Sequence, residues 1–427
     1  MGRLLCLVAG LAVCLAFFGG CAGDAGVYYL PGGIACEAAN DANVELANRD
    51  GPSTRGVIFD DAGAAMLRFS QDLFLDVLSG GEVNAVISPL SAYYVLAMVA
   101  LGAGGETFYE FRAVLGKCPR VLALDLYALA RNLTSTQGST VLDIVGSVWL
   151  SQQFAINADF SRAMTYYFSA PAFARDFSGE GTLYEINRWV YDQTQGLIED
   201  ALGEIGPDDV MLLINTLYLS AKWAEAFNPM NETQGYFNLE CGEALEVAFL
   251  YTRHTPLYVS VADYYEAVLL PYDDDRLGFF LVRPTDGTLV RDFAATHDLM
   301  AILGGLEEHD KVRVRMPKLD MEFEFRMNGY LQAMGLCRAF EGIADFSGLT
   351  EDAVPVFISD VQQTVRIIVD HEGTEAAAVT IAVAEIWSPF VQYGLIELKF
   401  NSPYIYMIYD MQTGAILFMG VVDNPQS

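Results

Sequence analysis

Positive charge is scarce. Of 427 residues, 24 are Lys or Arg and 55 are Asp or Glu, a formal net charge of -31, with a pI near 4.3. Nucleic acid, heparin and anionic lipid all need clustered cations, so none is an expected partner. Electrostatic steering favours a basic partner instead. Histidine is scarcer still: His254, His297, His309 and His371 are too dispersed to suggest a triad or a zinc site. There is no Gly-x-Ser-x-Gly elbow and no His-Glu-x-x-His. Leu101-Gly-Ala-Gly-Gly-Glu-Thr107 lacks the lysine of a phosphate loop and reads as a helix end and turn. Glu307-Glu-His-Asp310 reads as a solvated turn. No metal, cofactor or catalytic residue is expected, and an enzyme reading has nothing to stand on.

The seven cysteines contain no Cys-x-x-Cys pair, which excludes a metal knuckle. Long apolar runs are also missing, with one exception at the start. Arg3 precedes an unbroken apolar run from Leu4 to Phe18, and small residues follow before Asp24. Residues 1–23 therefore read as a secretory signal peptide. The rival readings are an uncleaved anchor and a lipoprotein acylated at Cys21. The run is short for a spanning helix, which needs ~20 apolar residues, and Phe18 suits a lipoprotein box poorly. The expected mature chain is secreted, extracellular and soluble. Cys6 and Cys14 leave with the signal. In an oxidising compartment one bridge, for instance Cys36 to Cys118, is open to the rest, but sequence does not fix connectivity. Asn132-Leu-Thr and Asn231-Glu-Thr are glycan acceptors in a eukaryotic secretory pathway.

What is present describes a globular chain: 53% hydrophobic and 19% charged residues rule out disorder. Residues 24–58 carry Gly, Asn, Asp and Pro without periodicity, as in an N-terminal extension. From Phe59 the pattern changes. Met66, Phe69, Leu73 and Leu78 recur at helical spacing, and Ser88-Pro89 opens a second helix with a capping hydroxyl and a proline at its start. Residues 141–150 alternate as a strand, and 266–272 with 278–284 read as a hairpin.

The rest is organised around residues 370–388. With a two-residue period, one face holds Thr374, Ala376, Ala378 and Thr380, nothing larger than threonine. The other holds Glu375, Ala377, Val379, Ile381 and Glu385. Such a segment could slide between two strands of a packed sheet, small face inward. Gly373 in front of it supplies a hinge without φ restriction. An Ala-rich helix competes on period alone, while Val379, Thr380, Ile381 and Val383 favour a strand.

What surrounds this segment breaks the tie. Glu372-Gly-Thr-Glu-Ala-Ala-Ala378, then Phe400-x-x-Pro403, Leu417-Phe-Met-Gly420 and Asn424-Pro425 resemble the C-terminal third of a serpin. Asn84-Ala-Val-Ile-Ser-Pro-Leu-Ser91 and the run to Thr107 resemble its opening helices. Residues 186–198 are similar to the helix that crosses the front of its sheet, and 211–219, ending in Trp223 and Phe227, to the next long strand. The resemblance implies one α+β domain over 59–427: a large, mostly antiparallel central sheet, surrounding helices and an exposed reactive-centre loop at about 371–394.

It also implies function. A serpin inhibits a serine protease as a suicide substrate: the nucleophile forms an acyl-enzyme with the loop, and the loop then inserts into the sheet as a strand. Gly373, Thr374, Glu375, Ala376, Ala377 and Ala378 are the implied hinge. Fourteen residues beyond Gly373 lies Trp387, followed by Ser388, the implied reactive bond; Phe390 and Tyr393 are the alternatives. All three are aromatic, so the implied target has a chymotrypsin-like slot. Ser88, Ser91, Asn215 and Trp223 match family positions beneath and at the head of the sheet. His371 stands where the family usually has a glutamate paired with a lysine resembling Lys318. Gln363 stands where a histidine links Asn215 to the buried serines, and Val379 replaces a small residue. Loss of the two polar links is expected to ease sheet opening, favouring insertion or loop–sheet polymers of an otherwise monomeric protein. The alternatives are a non-inhibitory carrier or binding serpin, and a cell-surface protein that uses the scaffold to bind partners.

Overall fold

Twelve consecutive buried residues, Pro89–Ala100, form a helix that is apolar on every side, the mark of a helix enclosed by other elements. It packs against strands of two different sheets and so forms the centre of the fold. The computed structural model describes residues 61–426 apart from 82, 135–137, 207, 253–254, 352–354 and 375–393. Residues 1–58, expected to hold a signal peptide and an N-terminal extension, and Glu375, Ala376, Ala377, Ala378, Val379, Trp387, Ser388, Phe390 and Tyr393 lie outside the described residues.

The first sheet has six strands, in the order Leu319–Arg326, Asp360–Val369, Gly373–Thr374, Met211–Lys222, Val141–Ser151, Ala172–Arg175. Met211–Lys222 is buried on both faces as far as Leu219, which is why it reads as a nearly continuous apolar run rather than an alternating one. One face of the sheet rests on the central helix. The approach is close enough that a Cβ on Gly146 would lie 2.9 Å from Met98 Sδ, so a larger residue there would have to displace the Met98 side chain. The opposite face carries the helix Glu180–Gln193, whose Ile186 and Val190 pack with Ile198, Ala201 and Leu202 on Trp149, Leu212 and Ile214.

The second sheet begins with Ala85–Ile87, Ile416–Val422, Tyr404–Asp410, Leu277–Pro284 and Tyr265–Pro271. It continues through Thr255–Val261, Glu307–Pro317, Ala244–Tyr251 and Thr233–Asn238, with Ile396–Lys399 joined in parallel to Glu307–Pro317. The expected hairpin is there, Tyr265 opposite Pro284 through Pro271 opposite Gly278. The described pairings are mostly antiparallel, as expected.

Leu101-to-Thr107 is a helix end and turn, as expected, and the next helix, Gly105–Leu115, starts within it at Gly105 with φ 48°. Two local expectations need correction. Glu307–Asp310 is not a turn but the exposed start of a strand, its partner strand beginning at Thr255. Ser88 does occupy the cap position before Pro89, yet its hydroxyl caps nothing. Its backbone is bonded to Gln363 instead, as described below.

Candidate functional site

The chain leaves the strand Asp360–Val369 through a three-residue turn. Asp370 closes it: its Oδ1 accepts from the amides of Glu372 (2.8 Å) and Gly373 (3.2 Å), and its own amide donates to Gly373 O. All three turn carbonyls are used. Trp223 Nε1 donates to Asp370 O at 2.9 Å, the Phe227 amide to His371 O at 2.8 Å and the Trp223 amide to Glu372 O at 2.9 Å. The turn sends the chain back down, and Gly373–Thr374 enters the sheet between its two neighbours, Thr374 opposite Val369 on one side and Ala221 on the other. The first two hinge residues are therefore already strand.

Residue size explains why these two fit. A Cβ on Gly373 would lie 2.0 Å from Ala221 O, so only glycine can hold this pairing. Thr374 is 3% exposed, and its Oγ1 is hydrogen-bonded to Tyr272 OH at 2.6 Å. Tyr272 is fully buried and stacks on Trp223, centroids 4.8 Å apart and planes 10° from parallel. Burial pushes the Tyr272 phenol well above its ordinary pKa, so it stays a neutral hydroxyl. The sequence gives Tyr272 no site role, only a place at the end of a hairpin strand. Its one signal is its place directly after the proline that ends a hairpin strand, in Leu-Leu-Pro-Tyr.

Below the hinge, Asp360–Val369 pairs directly and in parallel with Met211–Lys222 over four rows, up to Gln363 opposite Asn215. Gln363 Nε2 donates to Asn215 Oδ1 (3.1 Å) and to Ser88 O (3.0 Å), while the Ser88 amide donates to Gln363 Oε1 (3.0 Å). Ser91 Oγ donates to Asn215 Oδ1 at 2.5 Å. The link expected to be lost at Gln363 is thus made, because a primary amide carries both a donor and an acceptor. Three buried atoms here, Ser88 Oγ, Asn215 Nδ2 and Thr216 Oγ1, have no partner among the described residues.

The other departure resolves differently. Lys318 pairs with Glu232, Nζ to Oε2 2.5 Å, so it has a carboxylate although His371 is not one. His371 Nε2 lies 3.8 Å from Glu372 Oε1, and its buried Nδ1 has no partner among the described residues.

Between the two paired stretches lie residues 216–220 on one strand and 364–368 on the other. They are overlaid by the segment that follows Glu180–Gln193: Thr364 Oγ1 donates to Ala201 O and Arg366 Nη1 to Leu197 O, each at 3.2 Å. At the foot of the same strand, burial raises the Asp360 pKa against the opposing pull of Arg326, whose Nε is 3.2 Å from Oδ2.

The remaining predicted positions lie apart from this site. Asn132 is exposed at the end of Pro119–Leu133, its Oδ1 accepting from Arg276 Nη1 at 3.0 Å, and Asn231 closes the short turn Pro229–Asn231. Cys118 is disulfide-bonded, whereas Cys241 and Cys337 are free and exposed. The expected partner, Cys36, lies outside the described residues.

Comparison with known proteins gives this arrangement its context. A family model described as serpin (serine protease inhibitor) matches residues 64–425. An uncharacterized serpin-like protein of Thermococcus kodakarensis is 30% identical over 369 residues, covering 85% of each chain. Neuroserpin of Homo sapiens is 26% identical over 365 residues, covering 82% of this chain and 88% of that one. The crystal structure of a thermophilic serpin, tengpin, in the native state superposes with a TM-score of 0.79 at 28% identity, over 88% of this chain and 97% of that one.

Proposed function

The chain belongs to the serpin family, and from that premise we propose that it is a secreted inhibitor that traps a chymotrypsin-like serine protease as an acyl-enzyme. Serpins are in general inhibitors of serine proteases. The finer reading concerns this chain's own residues. The protease serine attacks the carbonyl of Trp387, the peptide bond to Ser388 breaks, and the new amine leaves while the loop stays esterified to the enzyme. Insertion of the loop then carries the protease away before water can release it.

One observation carries the reading: the register of the hinge. Continuing the antiparallel pairing of Thr374 six residues onward reaches Asn215 on one neighbour and Gln363 on the other, both at position 380. Asn215 and Gln363 are themselves directly opposite each other. The two ladders thus converge on one row, and a strand that starts at Thr374 needs no register shift to pass between them. The intervening residues, Glu375, Ala376, Ala377, Ala378 and Val379, supply small side chains on the face that Thr374 turns inward. Secretion is supported by the signal-like run before Asp24 and glycosylation by the two sequons. A net charge of -31 supports a basic protease as target and speaks against heparin.

Incubation with chymotrypsin followed by denaturing electrophoresis and mass spectrometry tests the proposal. A covalent band at the summed mass and a released peptide beginning at Ser388 are expected. A peptide beginning after Phe390 or Tyr393 would move the bond while keeping the target class. Cleavage without a covalent band would make the chain a substrate of that protease and favour the carrier reading.

A further inference from the structure

We propose that Tyr272 is a positioning residue for loop insertion: its hydroxyl holds Thr374 between the two strands before any protease arrives, so that insertion begins from a nucleus already formed. The bond is short, 2.6 Å, and Thr374 is almost wholly buried. Its two ends are set independently. Thr374 is fixed by backbone pairing on both sides. Tyr272 is fixed by its stack on Trp223 and by pairing of that tryptophan's backbone with its own. Trp223 in turn holds the turn carbonyls of Asp370 and Glu372, so the hinge and its holder share one aromatic anchor.

Starting a new strand is the unfavourable step of strand addition, because residues are fixed before the ladder rewards them. Gly373 and Thr374 have passed that step in the native protein. With its register set, insertion proceeds by adding residues to an existing strand. Withdrawal of the hinge would leave the Tyr272 hydroxyl buried with no partner in its place, a state disfavoured in a dry site. The kinetic consequence rests on the inhibitor reading above; the structural one does not.

The test is a two-residue cycle on the full-length protein. Tyr272→Phe keeps the ring and its stack but removes the hydroxyl, and Thr374→Val keeps the shape of the other partner without its hydroxyl. In the free protein, hydrogen exchange at the Gly373 and Thr374 amides should quicken about fivefold in either variant, the factor set by one net hydrogen bond. The double variant should add nothing further, and Thr374→Ser should retain wild-type protection. Equal protection in Tyr272→Phe and wild type would overturn the proposal, as would fully additive effects in the double variant. With a trapped protease, the ratio of released to trapped enzyme should rise several-fold in Tyr272→Phe and stay at the wild-type value in Thr374→Ser. Faster exchange with an unchanged ratio would overturn the positioning role. If the wild-type protein traps no serine protease, the inhibitor reading fails, and the exchange cycle still decides whether Tyr272 holds the hinge.

Discussion

Gln363 and Asn215 face each other across the row on which the two hinge ladders converge, their side-chain amides 3.1 Å apart. The proposed insertion past position 379 would have to break that contact, so the contact is expected to be a barrier to sheet opening. Gln363→Ala removes the amide that satisfies the Ser88 backbone N–H and leaves a cavity under the sheet. The native state should lose about 2–3 kcal/mol, read as a shift in the denaturant midpoint. Heat-induced polymers should form faster than in wild type. Equal midpoints and equal polymer rates would mean that the contact is not a barrier.

Gly373→Ala addresses the upper end. The added Cβ would meet the backbone oxygen of Ala221 at 2.0 Å, and backbone cannot move aside cheaply within a paired sheet. The hinge should therefore leave the sheet. Loss of hydrogen-exchange protection at Thr374, with the strand Val141–Ser151 unaffected, is the expected result.

Asp360→Asn addresses pH. The folded-state pKa of Asp360 is raised, chiefly by burial, while in the unfolded chain it returns to about 3.9. An acid with a raised folded pKa favours folding fully below its unfolded pKa, and that contribution is lost as pH rises through the folded pKa. At neutral pH the ionised carboxylate therefore weighs against the native state. Asp360→Asn should melt above wild type at pH 7, and the gap should close as pH falls toward 4. A gap that widened on acidification would mean that the Arg326 pair outweighs burial.

How much of this was legible in sequence follows from the kind of residue concerned. Gly373 and Thr374 are legible by small size at a strand period, and the helix Pro89–Ala100 by the Ser-Pro pair at its start. The hairpin ending at Pro284 was readable from its two apolar runs. The Gln363 link is hidden in the sequence because its residue type differs from histidine, although an amide both donates and accepts. Lys318 has no glutamate at position 371 to pair with, yet Glu232, 86 positions earlier in the chain, supplies a carboxylate. Tyr272 is marked locally only by its place after Pro271. Its role comes from a contact 102 residues away in sequence, which that place does not reveal. Periodicity reports which side of an element is buried, not which buried hydroxyl meets which.

The most direct test of the account is the thermal midpoint of the protein before and after cleavage of its loop by a protease that it does not trap. On the proposed mechanism, cutting would free the hinge to continue the strand begun by Gly373 and Thr374 and fill the rows between 216–220 and 364–368. A large rise in the midpoint on cleavage is predicted. An unchanged or lowered midpoint would mean that the loop does not insert, and the trapping mechanism would not stand.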